Sequence, residues 1–132
     1  MTKKPQPSID QWLEEAKCSP QAEQCGMFLA HNGVVRITPK AQVREGAEGL
    51  GSVARIEFSY DAQGVERAIT DTLAMPGVYY VKVWLNEGTL EVGDSIMYVL
   101  IGADIRPNTI DALQALVGKI KSDLVTETEI YE

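Results

Sequence analysis

The sequence predicts an α+β domain with helices flanking a mostly antiparallel sheet, and three observations carry this prediction. Segment 53–60 alternates apolar and polar residues, which is typical of a half-buried strand. Segment 95–102, SIMYVLIG, is apolar and rich in β-branched residues, as buried strands are. Apolar residues recur at helical spacing in 61–75 and 108–122. The predicted order α, β, β, α, β, β, α, β favours antiparallel pairing within one domain.

Length and charge limit what the chain can do. Its 132 residues are enough for one core and too few for two, so we expect a single domain over 1–132. The formal net charge of −7 argues against partners that need a basic surface, such as nucleic acid or an anionic membrane. No apolar run is long enough to cross a membrane, and residues 1–7 lack the apolar core of a secretory signal.

The two cysteines indicate the compartment. Cys18 and Cys25 are too few for a disulfide framework and fit a reducing environment, so we expect a cytoplasmic protein. Their spacing is not that of a Cys-x-x-Cys motif, and the single histidine, His31, has no neighbouring constellation of metal ligands. We therefore expect no metal and no bound cofactor.

The first half of the chain is predicted to hold one helix, two strands and a loop. Residues 1–7 are expected to be a loose tail, after which Ser8 begins a capping box for a short helix. Segment 25–37 is predicted to be one long strand, bulged at its Asn-Gly pair. Segment 38–51 is rich in Gly, Glu and Lys without a clear period, which predicts an exposed, mobile loop.

The second half alternates strands and helices. Asp61 is predicted to cap a helix that reaches about Met75. The remaining predicted elements are a strand at 78–85, a glycine turn at 88–94, the buried strand at 95–102, a helix from Asn108 or Thr109 to about Ser122, and an edge strand at 125–131.

The last predicted helix places its two C-terminal lysines differently. Its apolar stripe consists of Ile110, Leu113, Leu116, Val117 and Ile120. At about 100° per residue, Lys119 points away from this stripe and Lys121 lies at its border. We therefore expect Lys119 to be solvated and Lys121 to stand where a pocket wall would be.

Three segments, in order and without large gaps, carry a family resemblance over roughly residues 25–132. They are the glycine-containing segment that ends in GVVR at 33–36, the IEFSY strand at 56–60, and the GTLEVGD turn at 88–94 with the strand and helix that follow it. In these segments the chain resembles the large, catalytic subunit of molybdopterin synthase, the MoaE family. The resemblance implies the MoaE-like α/β hammerhead fold.

The resemblance further implies a role in molybdenum cofactor biosynthesis. Members of the family convert cyclic pyranopterin monophosphate to molybdopterin by installing two sulfurs as a dithiolene. The sulfur arrives as a thiocarboxylate on the C-terminal Gly-Gly tail of a small ubiquitin-like carrier. The large subunit is a homodimer, which forms a heterotetramer with two carriers. The alternative is a catalytically impaired protein of the same fold that binds a pterin, a cofactor intermediate or a ubiquitin-like partner.

Four positions follow from the resemblance as candidate site residues, and His31, the single histidine, is a fifth candidate on its own chemistry. Arg36 and Arg106 match two family arginines and are candidates to bind the phosphate and pterin of the substrate. Lys121 matches the catalytic lysine of the family, because it follows Arg106 at the family spacing. Thr128 falls on the second family lysine, and Thr128 and His31 are candidates for lining the site.

The chain departs from the family pattern at several positions. Glu127 stands where the family has the tryptophan that precedes its second lysine. The family's histidine before the last helix is replaced by Ile105, and its earlier histidine and arginine by Leu85 and Asn86. If the charge missing at Thr128 is needed in the transition state, we expect a rate loss of about 10²–10³.

Each candidate also has a purely structural explanation. Arg36 can be a surface ion-pair residue at the end of a strand, and Arg106 can pair with a neighbouring aspartate. Lys121 can be a boundary lysine whose aliphatic stem covers apolar surface. His31 can act near neutral pH or can be a polar residue at a strand bulge.

Overall fold

The structure is a computed structural model that describes residues 3–40, 46 and 51–131, and it contains two antiparallel sheets of three strands and three α-helices. The helices are α1 (Ile9–Lys17), α2 (Ala62–Leu73) and α3 (Arg106–Lys119). The strands are β1 (Met27–Val34), β2 (Val53–Tyr60), β3 (Val78–Leu85), β4 (Gly88–Glu91), β5 (Ser95–Ala103) and β6 (Val125–Tyr131). A short 3₁₀ turn at Ala22–Gln24 precedes β1, and a π-helical turn at Ile120–Leu124 joins α3 to β6.

The strands form two sheets with the orders β1-β5-β3 and β4-β2-β6, and every neighbouring pair is antiparallel. The predicted α+β, antiparallel architecture is thus confirmed, with two sheets in place of one. All nine residues of β5 are buried, as predicted for a central strand. Among the described strands, β6 pairs only with β2, and it is the edge strand that its alternation predicts.

Strand β4 was missed, because the sequence assigns its residues to the glycine turn 88–94. In the structure residues 88–91 pair with residues 55–58 of β2. Leu90 at the centre of β4 is fully buried. The four residues are too few to show a period of their own, so only their partner strand identifies them as β-structure.

Local chemistry determines where α1 and α2 begin. The Ser8 hydroxyl oxygen accepts a hydrogen bond from the backbone N–H of Gln11 at 3.3 Å. The Asp61 carboxylate accepts one from the backbone N–H of Gly64 at 3.1 Å. Each side chain satisfies an N–H group that has no partner within its helix, so both predicted caps are present.

Strand β1 contains the predicted bulge, at Gly33 and Val34, but it ends at Val34 and not at residue 37. After the bulge the backbone leaves β5 and bonds to the glycine turn. The Val35 N–H donates to the Asp94 carbonyl at 3.0 Å, and the Val35 carbonyl accepts from the Gly93 N–H at 2.8 Å. These bonds aim the segment that carries Arg36 toward the second sheet.

The predicted loose tail makes contacts with the folded domain over residues 3–6. The backbone N–H of Lys4 donates to Asn86 Oδ1 at 2.7 Å, and Lys4 Nζ donates to the Tyr60 hydroxyl at 2.9 Å. The Lys4 ammonium also lies 5.0 Å from the Tyr60 ring centre and 5.6 Å from that of Trp84, within range of a cation–π interaction. Of the predicted mobile loop 38–51, residues 41–45 and 47–50 lie outside the described residues.

Helix α3 begins at Arg106, two residues before the predicted start. Pro107 lies in its first turn, where the missing N–H of proline costs nothing. Asp104 Oδ1 accepts from the Ile105 N–H at 2.7 Å and from Asn108 Nδ2 at 2.8 Å, which fixes the entry into the helix. Arg106 therefore belongs to the first helical turn.

One apolar core joins α2, α3 and both sheets. Its buried residues include Ile56 and Phe58 of β2, Val99 and Ile101 of β5, and Leu116 of α3. A second cluster packs Trp12 of α1 against Tyr98 and Leu100 on the other face of β5. Within the described residues, none of the helices is sufficiently long and apolar to span a membrane.

Replacing Leu116 by alanine tests this core, because Leu116 is almost fully buried between α3 and the sheets. We expect Leu116→Ala to lower the free energy of unfolding by about 2–5 kcal/mol through lost transfer energy and the cavity that remains. Urea denaturation measures this change. Leu73→Ala is the matched control, since Leu73 is exposed at the end of α2 and its loss should cost only about 0.5 kcal/mol. Equal costs for both would contradict the packing described.

Candidate functional site

Lys121 lies in the π-helical turn after α3, at the boundary of the core. Its neighbour Ile120 and the later Leu124 are both buried, which anchors the turn. The Lys121 side chain is 26% exposed, whereas that of Lys119 is 56% exposed and pairs with Asp123 at 2.7 Å. The different environments predicted for the two lysines from the helical angle are present in the structure.

Arg36 and Lys121 line the same small cavity, at the meeting of the segment after β1 with β2 and β6. The other charged groups of its lining are Lys40, Glu127 and Glu129. The cavity volume is about 40 Å³. A single water molecule needs on the order of 10–15 Å³ of cavity volume. The cavity therefore has room for a small oxyanion but is too small for a pterin ring system.

A carboxylate joins the two lysines of this cavity. Glu127 Oε2 lies 3.2 Å from Lys40 Nζ and 3.5 Å from Lys121 Nζ, and the Glu127 side chain is only 10% exposed. Glu129 Oε2 accepts a hydrogen bond from the backbone N–H of Lys40 at 3.0 Å. Three positive and two negative side chains thus face one another, and one positive charge is left over for an anionic ligand.

Lys40 is a residue of this cavity that sequence reasoning missed. A signal was present, since Glu127 and Glu129 fall on the same face of an alternating edge strand and two adjacent carboxylates need basic partners. Nothing in the sequence says which of the lysines and arginines supplies that partner. The buried Pro39 immediately before Lys40 helps to fix its position.

The guanidinium of Arg36 retains most of its hydrogen-bonding capacity. Within the described part of the chain, its side chain makes one hydrogen bond, from Nε to the Thr38 carbonyl at 3.1 Å. A guanidinium carries five N–H donors, so four are available to an oxyanion. The surface ion pair considered as an alternative for Arg36 is not formed with any described residue.

Arg106 does not reach this cavity within one chain. It lies in the first turn of α3, whereas Lys121 follows the last turn, so roughly 22 Å of helix separates them at 1.5 Å per residue. The side chain of Arg106 is exposed. Among the described residues it forms no ion pair, so the alternative pairing with Asp104 or Asp111 is also not observed.

Thr128 does not line the cavity of Arg36 and Lys121, which corrects the expectation that it shares their site. Side chains of a strand alternate between its two faces. Since Glu127 and Glu129 face Lys121, Thr128 faces the opposite way, and with Thr126 it lines a separate hollow beside Glu57. The position carried over from the second family lysine therefore points away from the cavity.

His31 lies on β1 beside α3 and close enough to feel the charge of Lys121. It lines a groove with Leu113, Gln114 and Val117 of that helix. Partial burial lowers the pKa of His31 below its ordinary value of 6.5, and the positive charge of Lys121 lowers the pKa further. The imidazole is therefore neutral near pH 7 and can accept a proton. In residues 3–40, 46 and 51–131, no cluster of three or more His, Cys, Asp or Glu side chains is arranged to hold a metal ion.

The titration of His31 tests its position, and it is unambiguous because the chain has a single histidine. We expect the NMR titration of the imidazole to have its midpoint below 6.5, since burial and Lys121 both disfavour the protonated form. Lys121→Gln should raise the midpoint only part of the way to 6.5, because burial is the larger cause. Lys119→Gln removes a solvated lysine and should leave the midpoint unchanged. A wild-type midpoint at or above 6.5, or equal effects of the two substitutions, would contradict this geometry.

Comparisons with known proteins agree with the fold and the resemblance. The family described as MoaE protein matches residues 4–123 of the chain. The fold is similar to that of molybdopterin synthase from Staphylococcus aureus, with a TM-score of 0.68 and 16% identity over 83% of this chain and 77% of that chain. No curated protein is similar enough to the chain to count as a match.

Two further solved structures share the fold. Molybdopterin cofactor biosynthesis protein E from Burkholderia multivorans ATCC 17616 has a TM-score of 0.71 and 17% identity, over 97% of this chain and 84% of that chain. The complex of subunits 1 and 2 of the molybdopterin-converting factor from Helicobacter pylori 26695 has a TM-score of 0.66 and 16% identity, over 94% of this chain and 76% of that chain. Because the family match extends over most of its length, the chain belongs to the MoaE family, which acts in molybdenum cofactor biosynthesis.

Proposed function

We propose that this chain is the large subunit of a molybdopterin synthase. It would transfer sulfur from the thiocarboxylate of a small ubiquitin-like carrier to cyclic pyranopterin monophosphate, giving molybdopterin. The observation that carries the proposal is that Arg36 and Lys121, far apart in the sequence, line one cavity with an excess of positive charge. Membership of the MoaE family supports the same reaction.

The two cations suit different parts of this reaction. A guanidinium binds phosphate through parallel N–H donors, and Arg36 has such donors available. Lys121 is three-quarters shielded from solvent, so its charge acts more strongly on its neighbours than it would in water. The sulfur bonds to a carbon of the pterin, and water then replaces it at the acyl carbon, which leaves a carboxylate on the carrier. We assign to Lys121 the stabilisation of the negative charge that develops on the acyl oxygen and the leaving sulfur in this second step.

The carrier is proposed to be a small ubiquitin-like protein with a C-terminal Gly-Gly tail. The related Helicobacter pylori structure is a complex of two subunits of the molybdopterin-converting factor, which supports such an assembly. The narrow cavity also favours a tail of this kind, because glycine has no side chain and its backbone can approach a reacting centre closely.

A homodimer would complete the site, because one chain supplies only part of it. The cavity of one chain is too small for the pterin, and Arg106 lies at the far end of α3.

Exposed apolar side chains flank both arginines: Val34 and Ile37 near Arg36, and Ile105 and Ile110 near Arg106. Apolar groups of this kind are typical of surfaces that become buried on association. We propose that Arg106 of the partner subunit reaches the cavity, and that two carriers join the dimer in a heterotetramer.

A second candidate function is favoured by Glu127, which lines the cavity and pairs with Lys121. On this alternative the chain is an impaired member of the family that binds a pterin, a cofactor intermediate or the carrier without transferring sulfur. Thr128 adds to this argument, since no lysine stands at that position. Binding without turnover would distinguish this function from sulfur transfer.

Substitution of Lys121 tests the enzymatic proposal. We expect Lys121→Ala to lower the rate of dithiolene formation by about 10²–10³, the usual effect of removing one group that stabilises transition-state charge. The measurement is single-turnover conversion of cyclic pyranopterin monophosphate by purified protein and thiocarboxylated carrier. Lys119→Ala is the matched control and should retain the wild-type rate. If wild-type protein gives product and Lys121→Ala gives the same rate, Lys121 is not the catalytic lysine.

Mixed dimers test whether two chains build one site. Lys121→Ala and Arg106→Ala proteins should each be nearly inactive alone. After subunit exchange, each heterodimer should hold one intact site, which restores about a quarter of the wild-type activity for random pairing in a two-fold dimer. Mixing two batches of Lys121→Ala protein is the control. No recovery in the mixture, with subunit exchange verified by mass spectrometry, would exclude a site built from Lys121 of one chain and Arg106 of its partner.

A further inference from the structure

We infer that Lys40, Glu127 and Lys121 form an exchange site for an oxyanion. In this site Lys40 supplies a second ammonium group, and Glu127 holds both lysines in place until an oxyanion of the ligand replaces its carboxylate. The ligand group is a phosphate or a C-terminal carboxylate, as carried by the proposed substrate and by the proposed carrier. The inference rests on the proposed function for the identity of these ligands, but the exchange itself does not require sulfur transfer.

The first argument is the geometry around one oxygen atom. Glu127 Oε2 is within 3.2 Å of Lys40 Nζ and 3.5 Å of Lys121 Nζ. The two ammonium nitrogens therefore lie no farther apart than these two distances together, close enough for the oxygens of one phosphate or carboxylate to contact both. An oxyanion that entered the cavity would find its two cationic partners already assembled.

The second argument is that the backbone of Lys40 is held in place at its N-terminal side. Its N–H donates to Glu129 Oε2 at 3.0 Å, and the residue before it, Pro39, is buried. Glu129 is itself held, because its other carboxylate oxygen accepts from the Tyr131 hydroxyl at 3.1 Å. A lysine on a fixed backbone loses less conformational freedom when it binds a ligand, so it contributes more to affinity.

The third argument is the difference in exposure among the three groups. Glu127 is 10% exposed, whereas Lys40 is 38% and Lys121 is 26% exposed. The lysines can therefore be reached from solvent while the carboxylate lies beneath them. The cyclic phosphodiester of the proposed substrate and the C-terminal carboxylate of the proposed carrier each carry one negative charge, so either would compete with Glu127 on equal electrostatic terms.

This arrangement gives the chain a second lysine that its C-terminal strand lacks. Thr128 carries no charge and faces away from the cavity, while Lys40 enters it from the segment that follows β1. Lys40 binds the ligand in this scheme, and Glu127 is a positioning residue that acts through the two lysines. This role of Glu127 distinguishes the site from a simple surface ion pair. Such a pair would contribute little to stability and would not exchange its carboxylate for a ligand.

The test measures binding of two small probes, inorganic phosphate and the dipeptide glycylglycine, by NMR titration of the full-length protein. We expect Lys40→Ala to weaken binding of the better probe about tenfold, the effect of losing one charge-assisted hydrogen bond. Glu127→Gln should strengthen it by about the same factor, because the amide keeps the shape of the carboxylate but no longer competes for the lysines. Lys40→Arg should retain most of the affinity, and Lys119→Ala should leave it unchanged.

The two probes distinguish the sources of the oxyanion. Preferential binding of phosphate assigns the site to the substrate, and preferential binding of glycylglycine assigns it to the tail of the carrier. The inference is overturned if neither probe shows saturable binding. It is also overturned if Lys40→Ala leaves the affinity for the probe unchanged or if Glu127→Gln weakens it. The NMR spectra also report whether each variant is folded, and Lys40→Gln replaces Lys40→Ala if the alanine variant is not.

Failure of this inference can be told apart from failure of the proposed function. If the variants change probe binding as predicted but the wild-type protein makes no dithiolene product, the anion site is supported and the enzymatic proposal is removed. The opposite result is that the wild-type protein produces dithiolene while the Lys40→Ala variant binds both probes like wild type. This result would support the enzymatic proposal and would show that Lys40 is not part of the anion site.

Discussion

The pairing of β6 along β2 is the constraint on which the candidate site depends. Residues 125–131 run antiparallel to residues 53–60 along nearly their whole length. This pairing brings the C-terminal strand beside the segment after β1, although the two are at opposite ends of the sequence. Because side chains alternate, the register also decides which residues face the cavity. A shift by one residue would turn Thr128 inward and both carboxylates outward.

Charge balance in the cavity follows from this register. A carboxylate as shielded as that of Glu127 is stable only beside positive charge, and Lys40 and Lys121 provide it. The carboxylate in turn allows two ammonium groups to lie close together without a ligand. The same three residues that balance charge in the cavity are therefore those that would respond to an entering anion.

The structure distinguishes the site residues that lie together in one chain from the residue that does not reach them. Arg36 and Lys121 line one cavity within a single chain, beside the paired strands β2 and β6. Arg106 is held apart from them by the length of α3, which is a rigid spacer. In the proposed homodimer the symmetric partner would supply a cation from that end of the helix, and the exposed apolar residues around Arg36 and Arg106 support this proposal.

Much of the fold could be predicted because many of its elements depend on patterns among residues that are close in sequence. The alternation of β2, the apolar run of β5 and the caps Ser8 and Asp61 depend on neighbours in sequence, and all are present in the structure. Strand β4 could not be predicted, since four residues have no period and only β2 reveals them. The division into two sheets is equally a matter of long-range pairing.

The site was predicted less completely, for the same reason. The helical angle indicates that Lys121 lies at a boundary, and the family spacing selects it. The facing of Thr128 and the entry of Lys40 depend on the register between distant strands and on a segment without regular structure. The separation of Arg106 from Lys121, by contrast, follows from helix length and can be read from the sequence itself.

The most direct test of the central claim is a crystal structure of the protein with cyclic pyranopterin monophosphate bound. We predict that the phosphate contacts Arg36 and the Lys121 ammonium of one chain together with Arg106 of the partner subunit, and that the Glu127 carboxylate no longer contacts the two lysines. A ligand bound away from the cavity, or a phosphate that contacts neither Arg36 nor Lys121, would contradict this assignment of the site.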